Sequence, residues 1–176
     1  MKVYIFHGWG ATHKDNWFPW LKKELEQKGI VVQAPDFPDT EHPNLGSWIE
    51  KALELPYDEN TVLVGHSLGS VLIMRLIEKG IKLKKAFLVA NFDDNGDLND
   101  VKDFFKEPFV YKAIKKQRLV MLSSDNDPYV PFVVADKLAK NLECEHLIYK
   151  GKRHLSNGTG SLKFPELLEM ILRECD

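Results

Sequence analysis

The stretch that decides the fold is TVLVGHSLGS at residues 61–70, where an apolar run leads directly into a Gly-X-Ser-X-Gly pattern. A short run of valine and leucine is typical of a strand that is buried on both faces. The residues that follow, 68–78, have apolar side chains at helical spacing and end just before Gly80. We therefore predict a buried strand, a sharp turn that holds Ser67, and a helix that begins directly after the turn.

Apolar runs alternate with amphipathic stretches along the rest of the chain. This rhythm is typical of βαβ units, which build an α/β fold from a mostly parallel sheet with helices on both faces. Continuous apolar runs favour central strands, whereas HLIY at residues 146–149 favours an edge or the position next to it. We predict about six strands, at residues 3–6, 30–34, 61–64, 86–89, 119–122 and 146–149, and helices at 16–28, 45–55, 68–78, 131–141 and 164–173.

Length, composition and charge are those of an ordinary globular protein. The 176 residues suit one domain that spans residues 1–176. Hydrophobic residues make up 44% and charged residues 28%, which excludes a disordered or fibrous chain. The formal net charge of -2 argues against nucleic acid as a partner.

The chain carries no pattern typical of a metal knuckle, a redox pair or a membrane anchor. Cys144 and Cys175 lie far apart and form no Cys-X-X-Cys motif. The N-terminus lacks the features of a secretory signal, and no apolar run approaches the ~20 residues of a membrane span. We therefore expect a cytoplasmic protein with reduced thiols, no membrane association and no metal.

The segment at residues 93–116 breaks the alternation of strands and helices. It begins with an acidic loop rich in Asn and Gly and continues with the aromatic residues Phe104, Phe105, Phe109 and Tyr111. We interpret it as an insertion that overhangs the site.

Ser67 is the candidate nucleophile. In a strand-to-helix turn the serine adopts a strained backbone, its neighbours must be glycine, and its hydroxyl projects above the carboxyl edge of the sheet. The N-terminus of the following helix favours negative charge that develops there. The alternative is that Gly65 and Gly69 only permit close packing, with Ser67 capping the helix. A catalytic serine also needs a base and a group that orients the base.

Candidates for both groups follow later strands. The loop SSDNDPYVP at residues 123–131 supplies two carboxylates, Asp125 and Asp127. We favour Asp127, since it precedes a proline and is biased to extended geometry, whereas Asp125 suits a turn. His154 follows the strand at 146–149 and is the candidate base, the alternative being a surface histidine without a role. His66 lies inside the serine motif and suits a packing role better than a catalytic one.

An oxyanion hole and an apolar pocket complete the candidate site. The first N–H would come from Leu68, directly after the serine, and the second from Trp9 in the string HGWG at residues 7–10. Trp9, Phe92 and Tyr129 are candidates for substrate contact. Large aromatic side chains are equally common in cores, so that alternative stays open.

These motifs together resemble one known family. HGWG, GHSLGS, SSDNDPYVP and a histidine before the last helix are similar to the small serine hydrolases related to retinoblastoma-binding protein nine. The resemblance implies a compact α/β-hydrolase fold, whose chain order is Ser, Asp, His, and a catalytic triad of Ser67, His154 and Asp127. The family usually has glycine immediately before the histidine, where this chain has Arg153. A cation beside an imidazole disfavours the protonated imidazole.

The function expected from these residues is hydrolysis of a small ester or related acyl bond through an acyl-enzyme on Ser67. No metal or organic cofactor is required, and the expected partner is a small-molecule ester or acyl substrate. The alternative is a non-catalytic, protein-binding module on a hydrolase scaffold, because one fold hosts many functions. The sequence leaves the natural substrate, and the choice among ester, thioester and amide, open.

Overall fold

Strands and helices alternate along the chain, also across the segment at 93–116, where the prediction of a break in the alternation is wrong. The computed structural model describes residues 1–96, 98–156 and 162–175, so Asp97 of the predicted insertion lies outside the described residues. The strands are β1 (Lys2–Phe6), β2 (Val31–Gln33), β3 (Thr61–His66), β4 (Lys85–Val89), β5 (Leu119–Ser124) and β6 (Glu145–Tyr149). The α-helices are α1 (Phe18–Gln27), α2 (Leu45–Leu53), α3 (Leu68–Glu78), α4 (Tyr111–Ile114), α5 (Phe132–Leu142) and α6 (Pro165–Leu172), with short 3-10 helices at Asn99–Phe105 and Arg173–Cys175.

The strands form one parallel sheet in the order β2-β1-β3-β4-β5-β6. The predicted α/β fold is therefore confirmed. The continuous apolar runs of β1, β3 and β4 occupy internal positions, and every residue of β3 is buried. The less apolar β6 lies at an edge, as its composition predicts, because only one of its sides has a neighbouring strand.

Two apolar cores lie on opposite faces of the sheet. Along β1, Val3 and Ile5 belong to one core while Tyr4 and Phe6 belong to the other, since successive strand side chains point to opposite faces. The core of Val3 also receives buried residues of α1 and α6, and the opposite core receives those of α2, α3 and α5. Helices on both faces are thus confirmed.

Several boundaries differ from the sequence prediction by one or two residues, and the segment at 93–116 differs in its secondary structure. The first helix begins at Phe18 and not at residue 16, because Asn16 has a left-handed backbone, with a φ of 55°. The helix predicted from residue 131 begins at Phe132, and Pro131 occupies the N-cap position of α5. The segment at 93–116 is more than a loop, since it contains a 3-10 helix and α4. Within the described residues, no helix is both long and apolar enough to cross a membrane.

Candidate active site

The turn between β3 and α3 presents Ser67. The serine has a φ of 53° and a ψ of -123°, and its N–H donates to the carbonyl of Val89 at 2.8 Å. A Cβ at Gly65 would lie 2.6 Å from the backbone of Ser70, and one at Gly69 only 2.3 Å from the carbonyl oxygen of Phe6. Both glycines are therefore required by the close approach of α3 to the sheet. Ser67 occupies the N-cap position of α3, but its side chain makes no capping hydrogen bond.

His154 is held by the carboxylate of Asp127. Its Nδ1 lies 2.8 Å from Oδ2 and 3.0 Å from Oδ1 of Asp127, and the carboxylate is almost fully shielded from solvent, at 2% exposure. The N–H groups of Tyr129 and Val130 donate to the same carboxylate at 2.9 and 3.0 Å. An ionised Asp127 places the proton of neutral His154 on Nδ1, which leaves Nε2 as a hydrogen-bond acceptor.

Asp125 has a different partner. Its Oδ1 accepts the N–H of Gly151 at 2.8 Å, so it holds the loop that carries His154 and does not contact the imidazole itself. Of the two carboxylates that the sequence offers, the structure brings Asp127 to the histidine.

Ser67 and His154 line the same cavity, which has a volume of about 710 Å³. Every predicted site residue except Asp127 contributes to its wall, Trp9, Leu68, Phe92 and Tyr129 included. The predicted insertion adds Asp94, Asn95, Gly96, Leu98 and Val101. Within the described part of the chain, the Ser67 hydroxyl makes no hydrogen bond.

The aromatic residues of the cavity differ in their packing. Phe92 is buried and stacks on Phe105, with ring centroids 5.3 Å apart, so it is part of the core as well as of the wall. Tyr129 is 69% exposed and sets its ring edge-on to the imidazole of His154 at 4.9 Å. Trp9 donates from its indole to the carbonyl of Glu41 at 2.8 Å and remains partly exposed.

The loop after β1 passes directly beside the serine turn. A Cβ at Gly8 would lie 3.0 Å from the Cβ of Ser67 and 3.5 Å from the nitrogen of Leu68. Among the hydrogen bonds of the described residues, none is donated by the backbone N–H of Trp9 or Leu68. Both N–H groups are therefore without a partner in the described part of the chain, as the predicted oxyanion hole requires.

His7 supports this loop from below. The N–H of Phe37 donates to its Nε2 at 2.9 Å, so the proton of the neutral ring is on Nδ1, which contacts the carbonyl of Gly8 at 2.9 Å. Burial lowers the pKa of His7, which favours the neutral ring that this arrangement needs.

The sequence did not reveal how the histidine loop is held. Arg153, where the resemblance leads us to expect glycine, has a left-handed backbone with a φ of 45°. Its N–H donates to the side chain of Asn126 at 2.8 Å. A positive φ explains why glycine suits this position, because glycine adopts it without steric cost.

No metal site is evident in residues 1–96, 98–156 and 162–175, where no group of three or more His, Cys, Asp or Glu side chains is arranged to hold an ion.

Comparison with known proteins agrees with the motifs. A sequence model of the family described as serine hydrolase matches residues 3–173. The YdeN protein of Bacillus subtilis strain 168 is 30% identical over 180 residues, which cover 97% of this chain and 94% of YdeN. The serine hydrolase RBBP9 of Rattus norvegicus is 28% identical over 166 residues, covering 92% of this chain and 86% of RBBP9. The crystal structure of the B. subtilis ydeN gene product matches with a TM-score of 0.91 at 27% identity, covering 98% of this chain and 97% of that one. The resemblance inferred from the motifs is confirmed.

Proposed function

Because the chain belongs to the serine hydrolase family, we propose that it hydrolyses small carboxylic esters or related acyl bonds through Ser67, His154 and Asp127. One arrangement supports this most strongly: a shielded carboxylate orients an imidazole that lines the same cavity as the serine. Acyl-transfer sites of the Ser-His-Asp type combine the same three groups, a nucleophilic serine, a histidine base and a carboxylate that orients the base.

The chemistry begins with proton transfer. Nε2 of neutral His154 accepts the hydroxyl proton of Ser67 while Oγ attacks the carbonyl carbon of the ester. The imidazolium that forms is stabilised by Asp127, which stays ionised. The developing oxyanion accepts hydrogen bonds from the N–H groups of Leu68 and Trp9, and the N-terminus of α3 adds a favourable dipole.

Collapse of the tetrahedral intermediate completes the first half of the reaction. His154 donates its proton to the leaving alcohol, and the acyl group stays on Ser67 as an ester. Water then enters, loses a proton to Nε2 and attacks the acyl carbon. His154 returns this proton to Oγ of Ser67 as the bond between Oγ and the acyl carbon breaks, which releases the carboxylic acid and restores the serine. The mechanism uses no cofactor, and it requires that the hydroxyl of Ser67 turn toward Nε2 when substrate binds, as is common for catalytic hydrogen bonds that tighten only in the complex.

The cavity wall suits an uncharged, mainly apolar substrate. Trp9, Phe92 and Tyr129 supply aromatic surface, and Leu98 and Val101 extend it with aliphatic side chains. A volume of about 710 Å³ falls within the range of sites for small molecules. We propose that the acyl group of the ester occupies this apolar part of the cavity.

Hydrolysis of a p-nitrophenyl ester series, from acetate upward, tests this function with wild type and Ser67→Ala side by side. Activity that is lost in Ser67→Ala supports the proposed nucleophile, and the preference for chain length maps the acyl pocket. Labelling by a fluorophosphonate probe in wild type and not in Ser67→Ala provides a second test that does not depend on the choice of ester. A folded wild type that neither hydrolyses any ester nor reacts with the probe refutes the proposal and favours the protein-binding module.

A further inference from the structure

The loop that carries His154 depends on support from outside. Arg153 and Leu155, on either side of the histidine, both have left-handed backbones, with φ values of 45° and 51°. Residues with side chains rarely adopt this region, and they remain there only when surrounding contacts enforce it. The position of the imidazole therefore depends on which groups hold this backbone.

The backbone N–H groups of this loop are held by the last residue of β5 and the two residues that follow it. Three consecutive N–H groups donate to side chains of these residues, at distances of 2.8–3.0 Å. They are the N–H groups of Gly151, Lys152 and Arg153, which donate to Asp125 Oδ1, Ser124 Oγ and Asn126 Oδ1 respectively. These bonds connect the loop to the same segment that contains Asp127.

The carbonyl side is held by two ring N–H groups from elsewhere in the chain. Nε2 of His66 lies 2.9 Å from the carbonyl oxygen of His154, and since a carbonyl only accepts, the proton is on Nε2. The indole N–H of Trp17 donates to the next carbonyl, that of Leu155, also at 2.9 Å. Two consecutive carbonyls on the histidine loop are thus fixed by two buried donors.

His66 is well suited to this task. Its ring is buried in contact with the rings of Trp17 and Phe18, and its centroid lies 5.0 Å from that of His154. Burial, aided by the neighbouring charge of His154, lowers the pKa of His66 to about 3. The ring is therefore neutral near neutral pH, and its Nε2–H remains a donor of fixed orientation.

We propose that His66 is a positioning residue, which sets the imidazole of His154 against Ser67 by holding the backbone carbonyl of His154. His66 immediately precedes Ser67 in the chain. The backbone of the base is therefore hydrogen-bonded to the same turn that presents the nucleophile. This inference rests on the proposed function for its kinetic consequences, but the hydrogen bond itself is a property of the fold. Displacement of a reacting group by about 1 Å costs up to roughly 100-fold in rate, so loss of this anchor has a measurable effect.

The test compares one substitution that removes the donor with one that keeps a donor. His66→Phe keeps a flat ring in the buried site and removes the N–H, whereas His66→Gln keeps an amide N–H near the position of Nε2. We expect kcat for the best p-nitrophenyl ester to fall about 10-fold to 100-fold in His66→Phe, with KM changed less than about threefold. His66→Gln restores kcat to within a few-fold of wild type.

Two further variants separate positioning from a general loss of stability. His146→Phe removes another histidine, on β6, which is half-buried, whose Nε2 has no hydrogen-bond partner within the described residues and which is not part of the cavity wall. It should leave kcat unchanged. Trp17→Phe removes the donor to Leu155 and should lower kcat in the same way as His66→Phe.

An NMR measurement tests the anchor without relying on activity. The proton on Nδ1 of His154, shared with Asp127, gives a downfield resonance in a rigid pair. We expect this resonance to be sharp in wild type and His66→Gln and to broaden through exchange in His66→Phe.

The proposal is overturned if His66→Phe keeps both wild-type kcat and the sharp resonance, or if the Phe and Gln variants lose activity equally and in step with their melting temperatures. If wild type hydrolyses no ester, the proposed function fails while the resonances still decide whether His66 fixes the loop.

Discussion

Replacement of Arg75 by methionine should destabilise the protein strongly, although this residue is remote from the catalytic groups. Arg75 lies on α3 with a buried side chain and holds the segment around residues 99–110. Its Nε and Nη2 donate to the carbonyl of Phe104 at 3.0 and 2.9 Å, and Nη2 also donates to the carbonyl of Glu107. Nη1 pairs with Glu78 at 2.8 Å, and the guanidinium lies 3.6 Å from the ring centroid of Phe109.

The expected loss follows from the groups that Arg75→Met leaves behind. Two backbone carbonyls lose a charged donor, and a hydrogen bond to a charged group contributes about 1.5–3 kcal/mol. Glu78, whose side chain is 14% exposed, keeps its negative charge without its partner, and breaking a buried pair typically costs about 3–5 kcal/mol. The segment around residues 99–110 can move so that water solvates part of the freed groups, which reduces the loss. We therefore expect the free energy of unfolding to fall by about 3–4 kcal/mol. Domains of this kind have about 5–15 kcal/mol in total, so the variant remains folded at 25 °C.

Urea denaturation followed by circular dichroism measures this difference. The matched control is Lys106→Met in the same segment, because Lys106 pairs with Asp103 at the surface and is 65% exposed. An exposed pair contributes less than about 1 kcal/mol, so the control should unfold close to wild type. If Arg75→Met lost less than about 1 kcal/mol, or no more than Lys106→Met, the guanidinium would not be the anchor of this segment and the reasoning would be wrong.

Three other substitutions test separate parts of the molecule. Asp127→Asn should lower kcat for the best ester by roughly 10⁴-fold, the size known for the equivalent change in a serine protease, because the amide favours the wrong imidazole tautomer; Asp125→Asn keeps its acceptor for the loop and should stay within a few-fold of wild type. Arg153→Gly should raise the free energy of unfolding by up to about 1 kcal/mol, since glycine accepts the left-handed backbone; a lower melting temperature would contradict this. Burial acts to raise the pKa of Glu174, but the hydrogen bond and charge of Lys85 at 2.8 Å, together with the charges of Arg118 and Lys84, outweigh it and hold that pKa below its ordinary value. Its contribution is therefore present above the unfolded-state pKa of about 4.3 and is lost as the pH falls through the lower folded-state pKa. Glu174→Gln should thus be less stable than wild type at pH 7 and approach it below about pH 4, and a constant difference across this range would exclude the mechanism.

Local sequence rules were sufficient to predict the positions of the strands in the sheet and the residues Ser67, Asp127 and His154 of the candidate site. A strand buried on both faces must be apolar throughout, which is why β3 could be placed inside the sheet and β6 at an edge or next to one. The pair of glycines around Ser67 predicted a turn so tight that a Cβ at either position would collide with backbone. The proline after Asp127 favoured the extended geometry of a carboxylate that reaches another loop, and the structure brings that carboxylate to His154.

The hydrogen bonds that hold the histidine loop could not be predicted in this way, because they connect residues that are far apart in sequence. The hydrogen bond from His66 to the carbonyl of His154 spans 88 residues, and that from Trp17 to Leu155 spans 138. A buried histidine or tryptophan has the same local pattern whether or not its N–H meets a carbonyl. The 3-10 helix at Asn99–Phe105 was missed for a related reason, since a short helix of this type has little periodicity and is held in place by Arg75 on α3.

The strand order explains why the histidine loop needs such supports. β5 and β6 are neighbours, so the loops after them meet directly and Asp127 reaches His154 without help. β3, which carries the serine, is separated from β6 by β4 and β5. With strands about 4.8 Å apart, the ends of β3 and β6 are roughly 14 Å from each other, too far for an imidazole that stays above its own strand. The loop at 151–155 must therefore return across the carboxyl edge of the sheet toward β3, and a loop that reaches so far needs contacts at its far end. His66 is the last residue of β3, so a donor at this position is placed where the returning backbone arrives.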